Sequence, residues 1–179
     1  MMNRRSLFLA GAMLLPTLPL MAQDRPTTVL DLLSGTGVGA NAFVERSIIG
    51  NNFAIQSSQY LLEKSTHPQI RQLAEDLVSF GTTNTAALLA LPEASTRQPS
   101  SGDDRMQARL ASLRNYEGDE LNRWYVQMQV EAQQELATLY QSYAQNGEVT
   151  ALKTFAETNL PAIRQHLQRA QALQAPRAG

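Results

Sequence analysis

The chain has 179 residues, enough for one domain with a sizeable core, and its 43% hydrophobic and 17% charged residues are typical of a globular protein. A formal net charge of −1, without a basic run, argues against nucleic acid as a partner. The sequence has no cysteine, which excludes disulfides, thiol catalysis and thiolate metal sites.

Residues 1–22 have the three parts of a secretory signal peptide. Arg4 and Arg5 form the basic start, an apolar run extends from Leu7 to Met21, and Ala22 is the small residue at the cleavage site. The paired arginines also fit a twin-arginine signal, so both export routes stay open. We expect a periplasmic protein cleaved near Ala22, with an uncleaved anchor as the alternative. Removing the two arginines would leave 13 basic against 16 acidic residues, a net charge of −3.

Residues 23–40 are rich in Gly and Thr and predict a flexible lead, and residues 41–175 predict a helical domain. The first helical pattern runs from Asn41, a residue type favoured as an N-cap, to about Ser65. The second pattern runs from Pro68 to about Leu91, because proline is favoured in the first turn of a helix. Neither these nor later segments are long and apolar enough to predict a membrane span after the signal is removed.

The connection that follows begins with "PEASTRQPSSGDD", which has a loop composition, and "DRMQARLASLRN" predicts one short helix within it. The third long pattern runs from Asp119 to about Gln145 and ends at the turn Asn146–Gly147. The fourth runs from about Glu148 to Gln174, and Pro161 inside it predicts a kink or a restart. Two helix pairs joined by a long connection predict an all-α four-helix bundle with a long crossover between the second and third helices.

Two polar residues interrupt the apolar stripes of the last two helices, Gln133 in the third and His166 in the fourth. Buried polar groups need hydrogen-bond partners. The pair is therefore either a residual binding site or a polar layer that fixes the register of the bundle, and we favour the layer. We interpret Trp124, Met128 and Tyr143 as ordinary core residues and not as a cofactor box.

Metal sites in such bundles use inward carboxylates and Glu-x-x-His motifs. This sequence has no Glu-x-x-His, because Lys64 and Ile163 stand three residues before its two histidines. The glycine-rich "SGTGVG" at Ser34–Gly39 follows no predicted strand, so we interpret it as linker and not as a phosphate loop. We expect no catalytic residue, no metal site and no cofactor.

Four stretches of the predicted bundle resemble a known family: "FVERSIIGNNFAI", "KSTHPQIRQLAEDLV", "WYVQMQVEAQQEL" and "LPAIRQHLQRAQAL". The last is the most specific, with Leu160–Pro161, His166–Leu167 and Ala170. From Phe43 to Leu173 the chain resembles the exported bacterial family called domain of unknown function 4142. The resemblance implies a ferritin-like four-helix bundle outside the cytoplasm, and it implies little about activity.

The resemblance also implies that a site has been lost. Family members typically carry Asp-Asp-His where this chain has Ser79–Gly81, a glutamate at Ala54 and a histidine at Gln133. The fourth candidate inward ligand of the family, a histidine in the fourth helix, is kept as His166. The other three are replaced. The unusual "SFGTTNT" in the second helix is then a site refilled with Phe80 and small residues.

Three functions stay open at this point. We favour a non-catalytic binding or interaction protein of the cell envelope, whose partner is an unknown protein or another envelope component. One alternative is a metal-binding or ferroxidase-like protein, by analogy of fold alone. The other is a carrier of an apolar ligand, held in a cavity left by the small residues Gly50, Ala54 and Gly81. The sequence identifies neither the partner nor the oligomeric state.

Helix register makes one geometric prediction. Ala54, Gly81, Gln133 and His166 should face inward in one layer near mid-height of the bundle. Gln133 and His166 should then lie within hydrogen-bonding reach, directly or through a water molecule.

Overall fold

The computed structural model describes residues 38–97 and 104–174. These two ranges contain no strand and six α-helices: α1 Ala40–Lys64, α2 Pro68–Leu89, α3 Pro92–Ser95, α4 Asp104–Leu113, α5 Gly118–Asn146 and α6 Thr150–Gln174. The all-α prediction is confirmed. The predicted signal peptide, residues 1–22, and residues 23–37 of the predicted lead lie outside the described residues.

The first helix begins differently from the prediction. Its N-cap is Gly39 and not Asn41, and Val38 in the predicted lead is already buried. The side chain of Glu148, from the turn before α6, accepts a hydrogen bond from the Ala40 backbone N–H at 2.9 Å. A carboxylate at a helix N-terminus satisfies an otherwise unpaired N–H and interacts well with the helix dipole. Asn41 instead accepts a hydrogen bond from Arg97 in the crossover.

The later helix boundaries follow the prediction closely. Pro68 lies in the first turn of α2, as expected. The short helix in the crossover is present as α4, and α3 adds a single turn at Pro92–Ser95. The sixth helix runs from Thr150 to Gln174 with Pro161 inside it, so the predicted restart at the proline does not occur.

Neighbouring long helices run antiparallel around the bundle. Phe43 near the start of α1 stacks on Tyr143 near the end of α5, with ring centroids 4.2 Å apart. Farther along α1, the hydroxyl of Ser58 lies 2.8 Å from that of Tyr125 near the start of α5. Since α2 runs antiparallel to α1, α2 and α5 both run against it. The connection between α2 and α5 must therefore travel the length of the bundle, which confirms the predicted crossover.

The core consists of two hydrophobic clusters, one in each half of the bundle. We call the first the Phe43 cluster; its larger members are Phe43, Ile48, Leu88, Leu136, Tyr140, Tyr143, Leu152, Phe155 and Ile163. We call the second the Leu73 cluster; its larger members are Phe53, Leu61, Leu73, Leu77, Leu110, Leu113, Leu121, Tyr125 and Met128. Each cluster contains residues of all four long helices, so burial of apolar area joins both helix pairs.

Helix α4 closes the Leu73 cluster from outside. Its apolar side buries Met106, Leu110 and Leu113. Its polar side carries Arg109, whose guanidinium lies 3.1 Å from the Glu131 carboxylate of α5 and over the ring of Phe53. Helix α4 is thus an amphipathic cover for the groove between α1 and α5.

Three large side chains of α5 that the sequence assigns to the core differ in how far they are buried. Met128 and Tyr143 are buried, as the sequence predicts. Trp124 agrees with the prediction only in part, because it packs against the edge of the Leu73 cluster but is half-buried and stacks on Tyr116, with the ring centroids 5.0 Å apart. None of the helices in the described ranges is long and apolar enough to cross a bilayer.

Candidate functional site: a polar layer inside the bundle

Polar and small residues lie between the two hydrophobic clusters on each of the four long helices. They are Asn51 on α1, Gly81 and Asn84 on α2, Gln133 on α5 and His166 on α6, and all five are buried. We call these five residues the middle layer. Buried amides and an imidazole are uncommon in a bundle core, where each must replace the hydrogen bonds it made with water.

Direct contacts place α1, α2 and α6 at the same height in this layer. Asn51 donates a hydrogen bond to Asn84 at 2.8 Å. A methyl group at Gly81 would lie 2.9 Å from Cγ1 of Ile55, so α2 approaches α1 closely one turn further along. The ring of Phe80, next to Gly81, packs edge-on against His166 with the centroids 4.9 Å apart.

The position of Gln133 follows from its neighbours on α5. One turn before it, Gln129 donates a hydrogen bond to Ser57 of α1. Three residues after it, Leu136 fills the space beside Gly50 of α1. Gln133 therefore lies level with the part of α1 between Gly50 and Ser57. This segment includes Ala54, which is also buried. The four residues of the geometric prediction lie in one layer, within about one helical turn.

One part of the layer is connected by hydrogen bonds within the protein. The Asn84 carbonyl oxygen accepts from Asn51 and, at 2.8 Å, from the hydroxyl of Tyr140. Asn51 also donates to Thr85 at 3.1 Å. Burial raises the pKa of Tyr140 to about 12, so its hydroxyl stays protonated and serves as a donor at neutral pH. The Asn84 side-chain oxygen, on α2, is thus the shared acceptor that connects α2 with α1 and α5.

The rest of the layer is incompletely paired. The Asn84 side-chain nitrogen, the Gln133 side-chain oxygen and Nδ1 of His166 are buried without a hydrogen-bond partner in residues 38–97 and 104–174. Burial lowers the pKa of His166, and the carboxylate of Asp76 opposes this only in part. The imidazole is therefore mainly neutral at pH 7, so none of the three side chains with an unpaired atom carries a charge at this pH.

The two residues singled out from the sequence are buried, with Gln133 1% and His166 8% exposed. The direct hydrogen bond that we allowed between them does not form, since neither the Gln133 oxygen nor Nδ1 of His166 has a partner in the described part of the chain. Their role as a residual site stays a prediction. Asn51 was missed, although it continues the buried face of α1 that contains Ser47 and Ala54.

Two of the three small residues on which the apolar-carrier alternative rests are packed against neighbouring side chains. A methyl group at Gly50 would lie 2.7 Å from Cδ2 of Leu136, and one at Gly81 would meet Ile55. Both glycines serve close approach of a neighbouring side chain. At these two positions the predicted cavity is filled by protein.

The positions that the family resemblance relates to metal ligands differ in their surroundings. Ser79 is exposed, Phe80 is half-buried against His166, and Gly81 faces Ile55. No group of three His, Asp or Glu side chains within residues 38–97 and 104–174 is arranged to hold a metal ion. Nearby, Asp76 forms an ion pair with Arg169 of α6. Glu75 beside it is exposed.

An open groove of about 340 Å³ lies outside the core. It is lined by Gln56, Gln59, Tyr60 and Glu63, which recur along one face of α1, and by Arg114 after the end of α4. None of these five side chains bonds to another residue in the described part of the protein. The groove therefore presents amides, a phenol, an acid and a base that can all bind an external group.

Comparisons with known proteins agree with this architecture. A solved structure described as a candidate secreted protein, DUF305, from Streptomyces coelicolor has a TM-score of 0.58 and 17% sequence identity, covering 75% of this chain and 91% of that chain. At this identity the likeness shows the fold alone. No curated protein matches the sequence. The sequence model of DUF4142, a domain of unknown function, matches residues 34–173, and because this is most of the chain, the protein belongs to the DUF4142 family.

Proposed function

We propose that the protein is exported and works in the cell envelope as a non-catalytic binding protein, with the bundle as a scaffold and the outer surface as the interaction site. Residues 1–22 support export by their basic, apolar and small-residue segments. The candidate secreted protein that shares the fold is in keeping with export, and periplasmic location is part of the proposal.

The observation that carries this proposal is the chemistry of the middle layer. Asn51, Asn84 and Gln133 are amides, which neither titrate nor act as nucleophiles under physiological conditions. Enzymes place groups with shifted proton affinity or activated nucleophiles at such a site. Here the one titratable member, His166, has its pKa lowered by burial, but it is packed against Phe80 and no nucleophile or second acid–base group of the layer accompanies it. This interior is suited to holding four helices in register.

The surface groove is where we expect the partner to bind. Its five lining side chains have no hydrogen-bond or ion-pair partner in the described protein, so binding need not break such bonds. Glu63 and Arg114 supply opposite charges beside two amides. Such a surface fits a polar segment of a partner protein better than an apolar one.

The experiment compares partner capture by two charge-reversal variants of the tagged protein in the native envelope. Glu63→Arg changes the groove, and Glu157→Arg is the matched control, an exposed glutamate of α6 away from the groove. Quantitative affinity purification after cross-linking should give one protein retained by the wild type and by Glu157→Arg and depleted at least about tenfold with Glu63→Arg. Equal capture by all three proteins would reject the groove, and no specific capture would reject the binding function.

The metal-binding alternative is tested on the same preparation. We expect clearly less than about one tightly bound iron, zinc or manganese per chain, because a closed site needs about four ligand atoms from His or carboxylates. Elemental analysis that finds one or more ions per chain would overturn the non-catalytic proposal. Mass spectrometry of an organic extract tests the apolar-carrier alternative, for which a stoichiometric lipid is the required result.

A further inference from the structure

We propose that the middle layer contains a binding site for a small uncharged hydrogen-bonding molecule, water in the free protein, held between Gln133 and His166. This site is independent of the surface groove and of any partner. It rests on the position, burial and bonding of the layer residues.

The first argument is the unmet bonding capacity of the layer. Three fully buried atoms have no partner in residues 38–97 and 104–174: the Asn84 amide nitrogen, the Gln133 amide oxygen and Nδ1 of His166. Buried polar groups in folded proteins are almost always satisfied by protein or by ordered water. Three unsatisfied atoms in one layer are better explained by a shared occupant than by three separate losses.

The second argument is the bonding pattern of these atoms, which specifies the occupant. The Gln133 oxygen can only accept a hydrogen bond, and the Asn84 nitrogen can only donate one. Nδ1 of His166 can do either, depending on the tautomer. The occupant must therefore both donate and accept. Water does both, and internal waters typically make about three hydrogen bonds to protein groups.

The third argument is size and charge. Ile55 fills the space beside Gly81, Leu136 fills the space beside Gly50, and Phe80 covers one side of His166. These contacts limit the occupant to a molecule of about the size of water. The nearest charges, on Asp76 and Arg169, neutralise each other in an ion pair. An ion in the layer would have no counter-charge, so the occupant is neutral.

His166 also indicates where the molecule enters. The residue is 8% exposed, and Nδ1 is its fully buried ring nitrogen. The imidazole thus lies between solvent and the layer, flanked by Phe80 on α2 and by the pair Asp76–Arg169. Exchange of the bound molecule requires this ring or Phe80 to move.

The test is oxygen-17 magnetic relaxation dispersion of the purified protein, which counts water molecules that stay bound longer than the protein tumbles. Gln133→Met removes the acceptor while keeping a long flexible side chain. Gln134→Met is the matched control, because Gln134 is the next residue and is exposed. We expect the dispersion amplitude to fall by about one water in Gln133→Met and to stay unchanged in Gln134→Met.

Two results would overturn the site: no long-lived water in the wild type, or an unchanged amplitude in folded Gln133→Met. If Gln133→Met does not fold, a second measurement on the wild type alone tests the site. Magnetisation transfer between water and the His166 ring protons, measured with selective histidine labelling, should then show a bound water beside the ring. Lack of this transfer in the wild type would equally reject the site.

Discussion

Two polar regions inside the same bundle differ in how completely they are paired. Along the seam between α1 and α5, a serine pairs with a longer side chain of α5 three times. Ser57 and Ser58 of α1 pair with Gln129 and Tyr125, both at 2.8 Å, and Ser65, directly after α1, pairs with Asn122 at 2.6 Å. In the middle layer, Asn84, Gln133 and His166 each keep one buried atom without a partner in the described chain. In the seam, one buried atom of these six side chains, the Gln129 amide oxygen, has no partner in the described chain, so the seam is more completely paired than the layer.

The difference shows two uses of buried polarity. In the seam, two helices at one fixed distance pair a short side chain with a long one, so each bond also favours a single register. In the layer, side chains from four helices converge, and residues 38–97 and 104–174 leave three of their buried atoms without a hydrogen-bond partner. A seam of this kind stabilises one arrangement, and an open layer can accept a guest molecule.

The largest effect should come from the part of the layer that is paired. Asn84→Ala removes the acceptor shared by Asn51 and Tyr140, leaving the buried Tyr140 hydroxyl with Ser47 alone and the Asn51 amide with Thr85 alone. We expect a loss of about 2–4 kcal/mol in the free energy of unfolding, measured by urea denaturation. Asn146→Ala at the exposed end of α5 is the control and should change it by less than about 0.5 kcal/mol.

If Asn84→Ala lowered the free energy of unfolding no more than Asn146→Ala, the hydrogen bonds of Asn84 would contribute no more to stability than an exposed side chain does. This result would contradict the idea that the paired part of the layer stabilises the fold. A loss confined to Asn84→Ala, with the cooperativity of unfolding retained, would show that the layer contributes to a single global transition.

A smaller effect should come from the seam. Burial raises the pKa of Tyr125, so its hydroxyl remains neutral and bonded to Ser58. Tyr125→Phe should lower the free energy of unfolding by about 1–2 kcal/mol, and the double-mutant cycle with Ser58→Ala should give a coupling of about 1 kcal/mol. Tyr116→Phe, at a half-buried ring that stacks on Trp124, is the control. A coupling near zero would show that this pair does not help to set the register.

The smallest effect should be the pH dependence of His166. Burial lowers its folded-state pKa below the ordinary value of about 6.5, so the unfolded chain takes up the proton more readily. Its contribution to stability is present above about pH 6.5 and is lost as the pH falls through the unfolded and then the folded pKa. His166→Gln should flatten the stability curve between about pH 7 and 5, relative to His67→Gln.

A curve for His166→Gln that is steeper than that of the wild type would mean that the folded protein stabilises the imidazolium. The Asp76 carboxylate would then outweigh burial at this position. The layer would then contain a charged imidazolium, which would also argue against an uncharged bound molecule.

The sequence predicts which residues face inward better than it predicts what they contact. Apolar periodicity places Gly81, Gln133 and His166 in the interior, and the structure agrees. The pairing of Asn51 with Asn84 depends on the distance and rotation between two helices, which a periodic pattern within one helix does not contain. The same limit applies to the three serines of the seam, because a serine occurs on exposed helix faces as well and does not by itself predict burial or a partner on another helix.

Helix ends and surface aromatics show the same limit. Asn41 has the residue type of an N-cap, yet a carboxylate from a distant turn, on Glu148, reaches the first free N–H of α1. Trp124 has the hydrophobicity of a core residue, yet it lies at the edge of the Leu73 cluster and stacks on Tyr116. Local preference is overruled in both cases by a contact between residues far apart or on different elements.

The division of the core between two clusters bears on how the chain folds. Each cluster includes side chains of all four long helices, so neither the α1–α2 hairpin nor the α5–α6 hairpin can complete a core alone. We therefore expect the rate-limiting step to close the long loop that contains α3 and α4, at an entropic cost paid before most of the burial is gained. Local helix formation is fast by comparison. On this basis we expect the length of the crossover to set the folding rate, and the packing of the helices that it joins to set the unfolding rate.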